Sequence, residues 1–147
     1  MKTANKTINL KTKECFDFIN LTVEIKNFVR DSGIKDGLVN IQSMHTTGVI
    51  VVNEEEPLLI EDMKEQLERL MPQNLKYRHD DFSIRTVNMC DDECANGHAH
   101  CKALLMQANA TINLIDNKLQ IGQWQQIFFL ELDRSRERKV QIQIIGS

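Results

Sequence analysis

The chain has 147 residues, 41% of them hydrophobic and 27% charged, with Lys+Arg 18 against Asp+Glu 21 and a formal net charge of -3. That length predicts one domain able to bury roughly 68 to 70% of the surface its unfolded chain exposes. The near-balanced charge excludes the basic footprint of a nucleic-acid binder, and the composition excludes a disordered chain. The first twelve residues lack the apolar stretch of a secretory signal, and no segment approaches the roughly 20 apolar residues of a membrane span. A cytoplasmic protein with no membrane partner is expected, with Cys15, Cys90, Cys94 and Cys101 as reduced thiols.

Ile8 and Leu10 alternate with polar neighbours in a first strand, and Phe16 and Phe18 repeat that period before Asn20, a residue suited to cap a helix N-terminus. Leu21, Ile25, Phe28 and Val29 then share one helical face, and Gly33 suits a left-handed cap at its end. After the Asp36-Gly37 turn, residues 38–44 and 48–52 are rich in strand formers. They flank His45-Thr46-Thr47 and so place that tripeptide at a strand end or in a bulge.

Acids 54–56 ahead of Pro57 predict a second helix, with Leu59, Met63, Leu67 and Leu70 facing the core and Pro72 ending it. Residues 73–96 are irregular and rich in Asp, His and Arg, a long excursion of the kind that carries function. Ala99, Ala103, Leu104 and Met106 predict a short helix; Ile112 and Leu114, the Asp116-Asn117 turn, then Leu119 and Ile121 predict a hairpin. In a last ribbon, Phe128, Leu130 and Leu132 alternate with Ile127, Phe129 and Glu131, and after a turn over 133–137 Val140, Ile142 and Ile144 alternate with glutamines. Strands adjacent in sequence with two or three inserted helices predict an α+β fold with mostly antiparallel sheets. No glycine-rich phosphate loop is present.

Four histidines carry the chemistry: His45, His79, His98 and His100. Three imidazoles from separate segments make a tetrahedral metal site with one open position, the arrangement of catalytic zinc; the alternative is histidines that serve only local hydrogen bonds. On a helix His98 and His100 point about 200° apart, so at most one enters a given site, and His100 is taken as the inward one. A competing set, Cys90, Cys94, His98 and Cys101, shares one face of a continuous helix and would hold structural zinc, but Asn96-Gly97 interrupts that helix. Glu54 suits acid/base work or a helix N-terminus, and Asp91-Asp92-Glu93 suits a cation, a histidine partner or solvent. Arg78, Arg85, Lys102 and Arg134 suit phosphate clamping or plain surface charge, and Trp124 suits a pocket wall or the core.

Four ordered blocks bring these residues together. His45-Thr46-Thr47-Gly48 running to Asn53-Glu54, Tyr77-Arg78-His79-Asp80-Asp81, the stretch from Asn96 to Ala103, and Gly122-Gln123-Trp124-Gln125 resemble the YjbQ-like family, also called the secondary thiamine-phosphate synthase family, over nearly the whole chain. The resemblance implies β-sandwich-like sheets, a homotrimer and a pocket near the subunit boundaries. It implies metal ligation by His45, His79 and His100, with zinc expected and magnesium an alternative for a diphosphate substrate. Glu54, His45 and His100 become the catalytic candidates, and Asn53, Lys102 and Arg78 the candidates for holding the phosphorylated ligand. Asp133-Arg134-Ser135-Arg136 departs from the Gly-Pro-Arg turn of many relatives. The family name implies joining a pyrimidine diphosphate to a thiazole phosphate, and marks that activity as secondary to another physiological role. The alternatives are metal-dependent hydrolysis and a non-catalytic trimer that binds a metabolite or metal.

Overall fold

The structure, a computed structural model, describes residues 1–147. In chain order it comprises β1 (Lys2–Lys11), β2 (Phe18–Asn20), α1 (Thr22–Ser32), β3 (Gly37–Ser43), β4 (Gly48–Glu54), α2 (Pro57–Leu70), a 3-10 turn (Arg78–Asp80), α3 (Gly97–Leu104), β5 (Asn109–Ile115), β6 (Lys118–Leu119), β7 (Gln125–Glu131) and β8 (Glu137–Gly146). Strands pair in the orders β1-β8-β3-β5-β6 and β2-β7-β4, antiparallel throughout. The fold is α+β, with two antiparallel sheets and three helices. No helix is long and apolar enough to cross a membrane.

The local signals act through identifiable groups. Gly33 ends α1 at φ 65, where a side chain would be strained. Asn20 Oδ1 accepts the Thr22 N–H at 2.9 Å, although Leu21 is the boundary residue. Glu56 caps α2 by accepting from the N–H groups of Leu58 and Leu59, with Pro57 in the first helical position. Asp116 and Asn117 both take positive φ, the backbone of a tight two-residue hairpin.

The last two strands correct the sequence reading, because they do not form a ribbon. β7 is the middle strand of the smaller sheet, whereas β8 pairs with β1 and β3 in the larger one. The physical reason is burial on both faces. Ile127 and Phe129 join the main core with Ile25, Val39, Ile41 and Ile142, while Leu130 and Leu132 join a second cluster with Val49 and Ala99 against which Leu67 and Ala103 pack. Such a strand has no solvent face and belongs in a central layer. The α2 stripe is weaker than predicted: none of its residues is fully buried, and Leu70 is exposed. Leu104 of α3 is exposed as well.

Consequently the chain crosses between sheets six times, and the crossings after β1, after β3 and after β7 meet. Leu132 N–H donates to Thr47 O at 3.0 Å, Arg136 N–H to Thr12 Oγ1 at 2.8 Å and Ser135 Oγ to Thr12 O at 2.7 Å. Strand ends that leave a sheet carry unpaired backbone groups, and here the crossings satisfy one another.

Candidate functional site

Beside this junction opens a cavity of about 440 Å³. Its walls are Met44 to Thr47, His79, Arg85, Asn88, Cys90, Asp92, Glu93, Asn96, His100, Arg136 and Arg138, an almost wholly polar lining. His45, His79 and His100 therefore border one space, although they come from three separate segments.

His79 and His100 are brought together by a cap. Asp80 Oδ1 accepts the N–H groups of Asn96 at 2.9 Å and Gly97 at 2.8 Å, so a carboxylate from the 3-10 turn seats on the N-terminus of α3. A Cβ on Gly97 would lie 2.5 Å from Tyr77 Cβ, so the approach requires glycine. The His79 and His100 ring centroids end up 4.6 Å apart at 62°. Burial, and then the neighbouring His79, hold His100 below its ordinary pKa. His79 Nε2 is buried without a hydrogen-bond partner, as is Asn96 Oδ1, whose amide nitrogen donates to Asp133 Oδ2 at 3.2 Å.

His45 is held differently. Its N–H donates to Ser43 Oγ at 3.3 Å, while that hydroxyl donates to Gly48 O. The ring stands edge-on to Phe129, centroids 6.5 Å apart, and a Cβ on Gly48 would strike that phenyl ring at 2.4 Å. Nε2 accepts the Lys139 N–H at 2.7 Å. Burial, and then Arg138, lower the pKa of this imidazole. With that nitrogen engaged, the three rings do not form the three-imidazole ligand set expected from the sequence. Indeed, no three His, Cys, Asp or Glu side chains lie close enough together to hold a metal ion. The alternative Cys90, Cys94, His98 and Cys101 set is not assembled either, since His98 turns away onto Lys102.

Every guanidinium on the wall is matched by a carboxylate. Arg85 pairs with Glu93 at 3.2 Å and donates to Asn88 O at 2.7 Å; Arg136 Nε lies 3.0 Å from Asp133 Oδ2; Arg138 pairs with the fully buried Glu131. Cys90 N–H, and after it Arg85, hold the Glu93 carboxyl below its ordinary pKa. Arg134 pairs with the same Asp133 at 3.3 Å and reaches Asp92 O at 3.5 Å.

Four candidates lie outside the cavity within one chain. Glu54 and Asn53 sit at the far end of β4, a strand whose length puts Glu54 roughly 20 Å from the Gly48 end. Asn53 donates to Met63 Sδ at 3.4 Å. Arg78, the first residue of the 3-10 turn, is exposed. Lys102 is 0% exposed. Its Nζ lies 3.0 Å from Glu68 Oε2, 3.1 Å from His98 Nδ1 and 4.9 Å from the centroid of the Phe16 ring. One helical turn separates His98 from Lys102, so they share the face of α3 that His100 does not use. Burial raises the adjacent Cys15 thiol to about 11. Trp124 is neither pocket wall nor core but exposed.

The sequence reading missed Glu131 and Arg138, yet strand periodicity marks them. Arg138 is in phase with the buried Val140, Ile142 and Ile144, and Glu131 with the buried Ile127 and Phe129. Opposite charges at two inward-facing positions signal a buried pair.

Comparison with known proteins places the chain. Residues 6–147 match the family described as UPF0047 protein YjbQ-like. A UPF0047 protein of Archaeoglobus fulgidus is 35% identical over 90% of this chain and 94% of its own, and one from Methanothermobacter thermautotrophicus is 30% identical over 99% and 94%. Among solved structures, a YbjQ-like protein of unknown function from Sulfolobus solfataricus superposes with TM-score 0.87 at 31% identity over 99% of both chains. A YjbQ/UPF0047 protein from Clostridium acetobutylicum gives 0.83 at 34% identity over 95% of this chain and 99% of that one. None of these relatives carries a name that states an activity. The chain belongs to the YjbQ-like UPF0047 family.

Proposed function

We propose that the cavity binds a phosphorylated small molecule and acts on it with a divalent metal held by His79 and His100, in a thiamine-phosphate synthase-type transfer. The observation that carries this reading is the His79–His100 pair with its buried, unpartnered Nε2. Two neighbouring imidazoles with a free ring nitrogen suit zinc or a related cation, and with no third protein ligand close enough, water and the ligand's own oxygens would fill the remaining positions. His45 is spent on Lys139 and does not fit as a third ligand.

Charge accounting supports a cation here. Arg85 and Arg138 each have their own carboxylate and Arg136 shares Asp133 with Arg134, so an arriving diphosphate meets one guanidinium charge in excess, fewer than the negative charges it carries. A bound metal supplies a Lewis acid for phosphate oxygens. The chain's own part is orientation: a guanidinium has five N–H donors, and since most of those of Arg85 go to Glu93 and to the carbonyls of His79, Val87 and Asn88, it is Arg136 that has donors to offer phosphate oxygens. In the transfer, the thiazole nitrogen bonds to the methylene carbon of the pyrimidine while the bond from that carbon to oxygen breaks. Diphosphate leaves with the electron pair.

A second reading, metal-dependent hydrolysis, is favoured by one feature. The lining offers no Phe, Tyr or Trp ring on which a pyrimidine or thiazole would stack, and water needs none. The test is incubation of purified protein with the two thiamine precursors and zinc or magnesium. Thiamine phosphate plus diphosphate, lost in His100→Ala, supports transfer. Phosphate release without the thiazole identifies hydrolysis, and tight ligand retention without turnover identifies the binding protein. We propose a homotrimer as the assembly. The exposed Phe82, Ile84, Val87 and Met89 beside the cavity are apolar surface that association would cover, and light scattering of the purified protein tests it.

A further inference from the structure

His45 differs from the other two imidazoles of the cavity in its partner, the backbone N–H of Lys139. A backbone N–H can only donate, so the Nε2 that faces Lys139 N–H at 2.7 Å must present a lone pair. Turning the ring over would set a carbon against that donor, and protonating Nε2 would set two hydrogens against each other. The hydrogen bond therefore fixes both the ring orientation and the tautomer, with the proton on Nδ1.

Nothing in the chain accepts from that Nδ1: the side chain's one hydrogen bond is made through Nε2. Nor is Nδ1 among the sealed, unpartnered atoms, so it is open to solvent on a residue that borders the cavity. The clamp is stiff. Met44 N–H donates to Lys139 O at 3.2 Å, so the peptide that fixes the ring is itself tied to the residue before it. Arg138, next along β8, donates to Thr47 Oγ1 at 3.0 Å and holds the other end of the loop. A ring so held presents one donor in a constant direction, at no cost of reorganisation when a ligand arrives.

We infer that His45 serves this cavity as a fixed Nδ1–H donor to an anionic oxygen of the bound phosphorylated molecule, and that it takes no part in holding a metal. This rests on the proposed function for the class of ligand, but not for the tautomer or for the division of labour among the histidines.

The experiment uses the full chain at neutral pH, with inorganic diphosphate and zinc as probes. Imidazole nitrogen NMR reads the tautomer, with His45 expected as Nδ1–H and unmoved when zinc shifts His79 and His100. His45→Gln offers Lys139 an acceptor at the Nε2 position but has no donor at the Nδ1 position. It should fold normally, keep wild-type zinc stoichiometry and bind diphosphate about tenfold more weakly, the size of a charge-assisted hydrogen bond. His45→Asn, which restores an N–H near the Nδ1 position, should recover part of that loss. An Nε2–H tautomer, zinc loss in His45→Gln, or unchanged diphosphate affinity in that variant each overturns the inference. If zinc fails to bind the wild type, the proposed metal site falls, while the tautomer and the zinc-free diphosphate titrations still decide the role of His45.

Discussion

Arg138 Nε donates to Glu131 Oε2 at 2.7 Å, joining the start of β8 to the end of β7 across the boundary between the two sheets. The carboxylate also accepts from Thr12 Oγ1 and from the N–H groups of Leu132 and Asp133, so the crossings that follow β1 and β7 share one buried acid. Removing the guanidinium leaves that charge uncompensated where Glu131 is 0% exposed. Arg138→Met should cost about 3–5 kcal/mol, the usual penalty for breaking a buried pair from one side. Urea unfolding should show a lower midpoint with the same slope. Replacing both partners with apolar residues should cost less than the single change. A loss below about 1 kcal/mol in Arg138→Met would mean that the pair is effectively hydrated.

Gly97→Ala tests how the histidine pair is built. The added methyl would stand 2.5 Å from Tyr77 Cβ, and the neighbouring Asp80 cap ties the His79 turn to α3. The expected outcome is overpacking of about 1–3 kcal/mol, with the turn pushed off the helix. Because His79 rides on that turn, metal affinity should fall more than in a variant of equal stability altered elsewhere. Calorimetric zinc titration of matched variants checks this, and equal affinities would separate the turn from the proposed metal site.

Sequence periodicity located most elements, and it fails where two layers share one strand. In Ile127–Leu132 every residue is buried, so alternation along β7 cannot say which face meets which layer, and the pairing of β7 with β4 rather than β8 depends on residues far away in the chain. The site divides in the same way. That His45, His79 and His100 border one cavity is consistent with the spacing and blocks read from the sequence, but the state of each ring is not, because it depends on a backbone N–H of β8. Lys102 shows the limit of motif reading. Its position within the His98–Lys102 helical repeat is legible, while the Glu68 partner that removes it from the ligand comes from α2 and is not.

Acid should weaken the fold before it reaches the carboxylates. Burial, and then Lys102, hold His98 below the ordinary 6.5; His45 and His100 are lowered as well, in each case chiefly by burial. Below about pH 6.5 the unfolded chain takes up protons that the folded chain refuses, so stability rises with pH through this window and falls as pH drops towards the lowered folded values. Above it, both states are neutral and the dependence vanishes. Urea midpoints at about pH 7.5 and pH 5.5 should therefore differ, and His98→Gln should reduce the difference. A flat profile in the wild type would mean that these rings titrate alike in both states.

Lys102→Met distinguishes an internal strut from a phosphate clamp. The ammonium is fully buried, but its partner Glu68 keeps 40% of its side-chain surface exposed and can rehydrate when the lysine is gone. The deletion thus differs from that of Arg138, whose partner has no route to water. His98 Nδ1 loses its contact, and the methionine side chain still covers the Phe16 ring, so the cost should be about 1–3 kcal/mol, that of one buried group left unpaired. Affinity for inorganic diphosphate should be unchanged, since Nζ lies outside the cavity wall. Calorimetry with diphosphate beside a urea titration reads both quantities on one preparation. A tenfold loss of affinity with stability intact would put Lys102 on the ligand and overturn its assignment as a strut between α3 and α2.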